Sequence, residues 1–280
     1  MHRLILTFSC TDVPGIVNAV TGVIVAAGGN ITELQQFTSL DTGRFFMRIE
    51  LDVSADRKTF SSLLSQVVSR FDAIWDLVES DRRTRALVLV SKAGGPLNDL
   101  LFHKRSGDLP IDIPLVMSNH ETLRPMARFY EVGFVSHPVT PETKARFEAE
   151  VRRMVELHDI DVVVLARYMQ ILTPQFCADF PGRIINIHHS FLPGFKGANP
   201  YRQAHERGVK LIGATAHFVT KDLDEGPIIE QNVQRVDHSR SVTELTSIGQ
   251  GLESDTLTSA VRLFAERRIF LDGVRTVIFN

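Results

Sequence analysis

Cysteine is nearly absent: Cys10 and Cys177 are the only two in 280 residues. That excludes a disulfide framework and a cysteine-rich zinc site, and both thiols read as small buried hydrophobes in a reducing compartment. An excess of charge of one sign is missing as well. With 31 Lys and Arg against 33 Asp and Glu, the formal charge is -2, so there is no broad basic face to capture nucleic acid and no such partner is expected. Long apolar runs are lacking too. The longest, Gly15 to Gly29, is interrupted by Asn18 and Thr21 and falls short of the roughly 20 residues that span a bilayer. The opening Met1–Phe8 is followed too soon by Asp12 and Pro14 to read as a signal peptide. No membrane association and a cytoplasmic setting are therefore expected. Neither a long-period repeat nor a low-complexity segment is visible.

What remains is an ordinary globular composition, 44% hydrophobic and 23% charged, at a length that suggests about two domains. Residues 1–82 form the first expected unit. Leu4–Phe8 reads as a strand and Pro14–Ala27 as a helix, with Pro14 suited to the first turn because its missing N–H has no partner there. Gly28-Gly29-Asn30 supplies the stop. Ile31–Phe37 and Arg44–Val53 read as strands around an Asp41-Thr42-Gly43 turn, the second alternating through Phe46, Arg48, Glu50 and Asp52. Lys58–Phe71 carries an apolar stripe at helical spacing, and Trp75–Val78 closes a βαββαβ, ferredoxin-like order. A polar linker, Glu79–Arg85, precedes the second unit, residues 83–280.

There the pattern changes to apolar strands separated by helices. Ala86–Val90, Ile113–Ser118, Gly133–Ser136, Asp161–Ala166, Ile184–His188 and Leu211–His217 alternate with helices near Pro96–Lys104, Thr122–Tyr130, Pro141–His158 and Pro174–Phe180. This predicts an α/β fold with an open, mainly parallel sheet. Ile228–Val236 reads as a further strand, Ser241–Phe270 contains a long helix, and Val274–Phe279 reads as a final strand.

The stretch Arg183–Gln231 carries the chemistry. Alternation along Ile184–His188 places Asn186 and His188 on one face, and ligands of open parallel sheets gather at carboxyl ends of strands. His188 falls at such an end, where Ser190, Pro193 and Gly194 begin a loop. An amide can donate to an oxygen gaining negative charge, and an imidazole beside it can donate or relay a proton. Asp224, in a loop that opens at His217 and closes at Gly226-Pro227, is placed to orient that imidazole and hold a water.

The plainer readings are that His188 is a satisfied core histidine and Asp224 a turn residue before Gly226. His189, on the other face, reads as structural. His217 reads as an anchor for Asp224 or as packing under the sheet edge. Neither H-E-x-x-H nor paired cysteines accompany these groups, so no metal is expected, and Ser190 lacks the G-x-S-x-G elbow. The turn Ser91-Lys92-Ala93-Gly94-Gly95-Pro96 matches neither dinucleotide nor Walker patterns.

These motifs carry a resemblance. I-N-x-H at 185–188 with L-D-x-G-P at 223–227 resembles the formyltransferase fold of enzymes that use 10-formyltetrahydrofolate. The resemblance implies that Asn186, His188 and Asp224 are the catalytic group. Val164–Leu172 resembles the pterin-pocket segment, which implies a folate site at Arg167, Met169, Gln170 and Leu172, with His217 beside it. Asp12-Val13-Pro14-Gly15-Ile16-Val17 with Gly28–Ile31 resembles an ACT domain, a small-molecule sensor that pairs side by side. An amino-acid effector and a homodimer or homotetramer are what that implies, although Val13 stands where Arg often follows the Asp.

The combination resembles the formyltetrahydrofolate deformylase family, which hydrolyses 10-formyltetrahydrofolate to tetrahydrofolate and formate. The folate is then substrate, and no cofactor is implied. Formyl transfer to an amine acceptor such as glycinamide ribonucleotide is the alternative. The cradle expected for a phosphorylated acceptor resembles G-x-G-S-N-L, which Gly94-Gly95-Pro96-Leu97 does not reproduce. In the family Ser-Lys at this turn is commonly followed by Cys or His, where this chain has Ala93.

Overall fold

A computed structural model describes residues 1–192 and 200–280. Pro193 and Gly194, expected to begin the loop after His188, lie outside the described residues. The chain divides into two compact units, residues 1–82 with 267–280 and residues 83–266.

In the first unit, strands β1 (His2–Thr11), β2 (Asn30–Ser39), β3 (Arg44–Val53) and β4 (Ile74–Glu79) form an antiparallel sheet in the order β2-β3-β1-β4. Helices α1 (Ile16–Ala26) and α2 (Arg57–Phe71) complete the expected βαββαβ order. Pro14 is not in the first turn of α1. The helix starts two residues later, because Gly15 takes a left-handed φ of 96° at its N-cap and turns the chain first. Asp56 caps α2 by accepting from the Thr59 backbone N–H at 2.8 Å. Leu6, Phe8, Met47, Ile49 and Leu51 pack with Val20, Ile24, Phe60 and Leu64 as one core. Each such fully buried side chain contributes about 1.5–3 kcal/mol relative to exposure.

The other face of this sheet is covered by the end of the chain. Residues 269–280 were expected to belong with the second unit and to finish in one strand. They instead form a hairpin, β12 (Ile269–Asp272) and β13 (Arg275–Ile278), grouped with the first unit. Phe270 and Phe279 cluster with Phe46 of β3, so β3 is buried on both faces. The Glu79–Arg85 linker is also shorter than expected, since β4 keeps Glu79 and the next strand opens at Thr84.

The second unit is built on a seven-stranded sheet. Its strands are β5 (Thr84–Val90), β6 (Ile111–Ser118), β7 (Gly133–Ser136), β8 (Val162–Ala166), β9 (Ile184–His188), β10 (Leu211–Phe218) and β11 (Ile228–Arg235), in the order β11-β10-β9-β8-β5-β6-β7. The five strands from β9 to β7 run parallel, whereas β10 is antiparallel to both neighbours. The intervening helices are α3 (Gly95–Ser106), α4 (Arg124–Phe129), α5 (Lys144–Leu157), α6 (Pro174–Asp179) and α7 (Pro200–Glu206), followed by α8 (Val242–Ala265). The short α7 had no counterpart in the sequence pattern. A capping box, Ser241 with Glu244, starts α8. Near-continuous apolar runs in β5 and β8 follow from burial on both faces: every residue of β8 is buried.

Candidate active site

Three chain segments converge at the carboxyl ends of β8 and β9. The first is Arg167–Thr173, which leaves β8 and is pinned near both ends. Ser91, just past β5, accepts from the Met169 backbone N–H at 3.0 Å and donates to Asn119 Oδ1 at 2.7 Å. At the far end, buried Glu148 accepts from the Thr173 backbone N–H at 2.8 Å. Just before the first, Tyr168 stacks on Phe147, with ring centroids 5.9 Å apart. Burial, reinforced by Glu148, pushes the Tyr168 phenol well above its ordinary value, so it stays protonated.

The second segment is the end of β9. His217 of β10 pairs with Asn186, beside a bulge at Ala216/His217 that shifts the β10–β11 register. Thr215 fixes the stretch after β9: its hydroxyl donates to the Ser190 carbonyl at 3.0 Å and accepts from the Leu192 N–H at 3.1 Å. Gln231 donates to the Leu192 carbonyl at 3.1 Å.

The third segment is the loop from Val219 to Pro227. It closes where the Phe218 N–H meets the Pro227 carbonyl at 2.9 Å. A β-carbon on Gly226 would sit 1.7 Å from the Phe218 oxygen, so only glycine permits this closure. Asp224 itself adopts a left-handed φ of 56°.

The groups that meet there divide their hydrogen bonds unequally. His217 is 2% exposed. Its Nδ1 faces the Phe218 carbonyl at 2.8 Å and must carry the proton, because a carbonyl only accepts. In the neutral ring Nε2 then accepts from Asn186 Nδ2 at 3.2 Å, which leaves the second amide hydrogen of Asn186 for a ligand. Asp224 sits between two imidazoles, with Oδ2 3.3 Å from His188 Nδ1 and Oδ1 3.6 Å from His217 Nε2. Hydrogen bonding, chiefly from His188, outweighs burial and holds its carboxyl well below the usual range. His188 is 6% exposed, and its Nε2 is buried with no hydrogen-bond partner among the described residues. With Nδ1 turned to Asp224, that nitrogen presents a lone pair in the neutral ring.

A cavity of about 280 Å³ lies between the three segments. Asn186, His188 and Asp224 all line it, as do Arg167, Met169, Gln170 and Leu172. His217 stands behind Asn186 and Asp224 rather than in the wall. His189, read from alternation as structural, also lines the cavity and stacks on His188 with centroids 4.9 Å apart, because the strand ends at His188 and alternation ends with it. Ser91, Glu148 and Glu253 were not anticipated. For Glu253 a signal existed: Leu245, Gly249, Glu253 and Leu257 recur every fourth residue along α8, and all four are buried, so a carboxylate stands on the apolar stripe. Among the described residues, no cluster of His, Cys, Asp and Glu is arranged to hold a metal ion, and no helix is long and apolar enough to cross a membrane.

The arrangement can polarise a carbonyl through an amide N–H, take a proton on a buried imidazole nitrogen, and stabilise the resulting cation with an ionised carboxylate. The formyl transferase family matches residues 84–261 and the ACT domain family matches residues 4–67. Formyltetrahydrofolate deformylase from Bacillus subtilis (strain 168) is 45% identical over 279 residues, covering 98% of this chain and 93% of that protein. The crystal structure of the formyltetrahydrofolate deformylase from Burkholderia mallei ATCC 23344 superposes with a TM-score of 0.97 at 45% identity, covering both chains fully. Glycinamide ribonucleotide transformylase 1 from Symbiobacterium toebii aligns with a TM-score of 0.67 at 34% identity, over 73% of this chain and 98% of that one.

Proposed function

The chain belongs to the formyltetrahydrofolate deformylase family, and we propose that Asn186, His188 and Asp224 are the groups that carry its reaction. It hydrolyses 10-formyltetrahydrofolate to tetrahydrofolate and formate. The observation that carries the residue assignment is the Nε2 of His188, without a partner among the described residues and buried in the cavity while Nδ1 faces an ionised Asp224.

The folate ring would lie along Arg167–Leu172, with the formyl oxygen toward Asn186. Neutral His188 takes a proton from water at Nε2 as the water oxygen bonds to the formyl carbon. The carbonyl pair moves to oxygen, where the free Asn186 N–H meets the new charge. Asp224 stabilises the imidazolium. With both oxygens turned to imidazoles and its affinity for protons lowered, it acts through His188 rather than as the base itself. Collapse of the intermediate breaks the C–N10 bond, the imidazolium returns its proton to N10, and the formic acid released ionises to formate in solvent.

The fold subserves formyl transfer to amines in similar proteins, so the acceptor needs its own argument. A phosphorylated acceptor requires an array of backbone N–H donors, which a helix N-terminus can supply. At the start of α3, Pro96 in the first turn removes one such donor. A β-carbon at Gly94 would approach Met126 and Leu123 within 3.0 Å, so little free space lies over that turn. Both features favour water.

For the first unit the proposal is an amino-acid sensor acting in a homodimer or homotetramer, in a cytoplasmic enzyme. A thermal-shift screen against single amino acids and light scattering on the purified chain test those two statements. The central test supplies 10-formyltetrahydrofolate without any amine and follows tetrahydrofolate and formate. Equimolar release is expected; release that required an added amine would instead make the chain a transferase.

A further inference from the structure

Arg167 has a backbone that suits another residue. Its φ of 63° is left-handed, a conformation in which glycine is the default and a long side chain needs a reason. The side chain turns inward. Its Nε lies 3.4 Å from Oε2 of Glu253, which is itself 2% exposed on α8. The other Glu253 oxygen accepts from the Tyr201 hydroxyl at 2.6 Å.

That ring in turn depends on Gly249, where a β-carbon would come within 2.2 Å of it. Four residues from three segments are thus committed to one arrangement. Burial pushes the Glu253 carboxyl up, opposed by Arg167, by Tyr201 and then by His188, so the cluster is within electrostatic reach of the His188 imidazole. Glu253 comes from α8, which packs on β9, whereas Asp224 approaches from the Val219–Pro227 loop. Arg167 lines the cavity, and its Nη1 is buried with no hydrogen-bond partner among the described residues.

The mechanism above gives Glu253 and Tyr201 no role, and Arg167 only a place in the folate wall. Yet a unit of the same fold serves a transformylase and a deformylase, and their difference lies in what reaches the formyl carbon. We propose that Arg167, clamped by Glu253 and Tyr201, selects the acceptor: its guanidinium fills the space beside His188 that an amine-bearing second substrate would need, and leaves room for water. The positive charge repels an ammonium group, and Nη1 offers a donor that a water oxygen satisfies. The proposal rests on the deformylase reading. In a site opened by loss of the side chain, an amine nitrogen would bond to the formyl carbon as the C–N10 bond breaks. His188 would carry the amine proton to N10, giving an N-formyl amine and tetrahydrofolate with no redox change.

The test uses the full chain carrying Arg167→Gly, which suits the left-handed backbone, with 10-formyltetrahydrofolate and rising concentrations of glycinamide. Proton NMR reads the ratio of N-formylglycinamide to formate. The wild-type ratio is expected to stay at the uncatalysed background, and the variant ratio to rise about tenfold or more, the scale of discrimination set by a pocket's shape. A purely structural role would lower both products together and leave the ratio unmoved. An unchanged ratio in folded Arg167→Gly overturns the proposal. If that variant does not fold, Arg167→Asn, which also tolerates the left-handed region, is read in the same way. Absence of formate from the wild type without amine would sink the deformylase reading itself, a result separate from an unchanged ratio.

Discussion

Two buried polar clusters, one in each unit, are satisfied to different degrees. In the first unit Arg48, 2% exposed, lies 2.8 Å from Glu33 and 3.6 Å from Glu50. Glu33 also takes both Nη atoms of Arg268, at 3.1 and 3.3 Å, and the Gln35 amide at 2.7 Å. Burial pushes the Glu33 carboxyl up, but Arg268 and Arg48 together outweigh it and hold it below its ordinary value. In the second unit the Asp224 cluster and the neighbouring Arg167–Glu253 cluster leave His188 Nε2 and Arg167 Nη1 without partners among the described residues. A buried polar atom left unbonded costs free energy, so folding alone does not favour it. The closed cluster ties a hairpin to a sheet; the open one keeps bonding capacity for a ligand.

The sharpest way to break this contrast is to damage both clusters and ask what is lost. Arg48→Met removes the buried cation from two partly exposed carboxylates and is expected to cost about 2 kcal/mol of unfolding free energy, read from denaturant curves. A cost under about 1 kcal/mol would make that network incidental. His188→Gln and Asn186→Ala should do the opposite. Each is expected to lower formate turnover on the order of a hundredfold or more while changing stability by about 1 kcal/mol or less, since the altered groups are not fully bonded. Near-normal turnover in either variant would remove it from the proposed machinery.

Smaller changes sharpen the same contrast at its edges. Gly226→Ala forces the Phe218 carbonyl aside and should cost about 1–3 kcal/mol of stability, with a loss of turnover as Asp224 moves. Unaltered crystal positions for residues 219–227 would contradict the close approach. Ser91→Ala removes the acceptor of the Met169 N–H and should raise KM by about fivefold, with kcat less affected, as a loss of roughly 1 kcal/mol falls on the substrate wall.

The least effect is expected from acid. A carboxylate with a depressed folded pKa adds stability above its unfolded value of about 3.9, and that increment is lost as pH falls through the folded value. The melting-temperature gap between wild type and Asp224→Asn should therefore be present at neutral pH and shrink below about pH 4. A gap that persisted undiminished at lower pH would mean Asp224 is not held ionised by its imidazole neighbour His188.

Much of this molecule was legible as one-dimensional pattern. The β3 limits, the βαββαβ order and the parallel strands through β9 follow from local periodicity, which depends on neighbours a few residues away. The alternation that joined Asn186 to His188 is local in the same sense. The errors fall where distant residues decide. Val274–Phe279 looks like a strand of whatever precedes it, but its partners are Ile269–Asp272 and the outer face of β3. His189 was assigned by alternation beyond the point where the strand stops.

The sequence by itself determined the elements and the set of chemical groups: an amide, an imidazole and a carboxylate in motifs specific enough to indicate a formyl group. Only tertiary structure decided how those groups share hydrogen bonds. The bond from His217 Nδ1 to a carbonyl turns one amide N–H of Asn186 inward, and Asp224 Oδ2 is left to face His188 Nδ1. Those facts make His188 the proton acceptor of the proposed mechanism. Arg167 and Glu253 are 86 residues apart in the sequence, and only the packing of α8 on the sheet brings them together. A side chain's role depends on which of its atoms remain unbonded after folding, and composition and spacing carry no record of that.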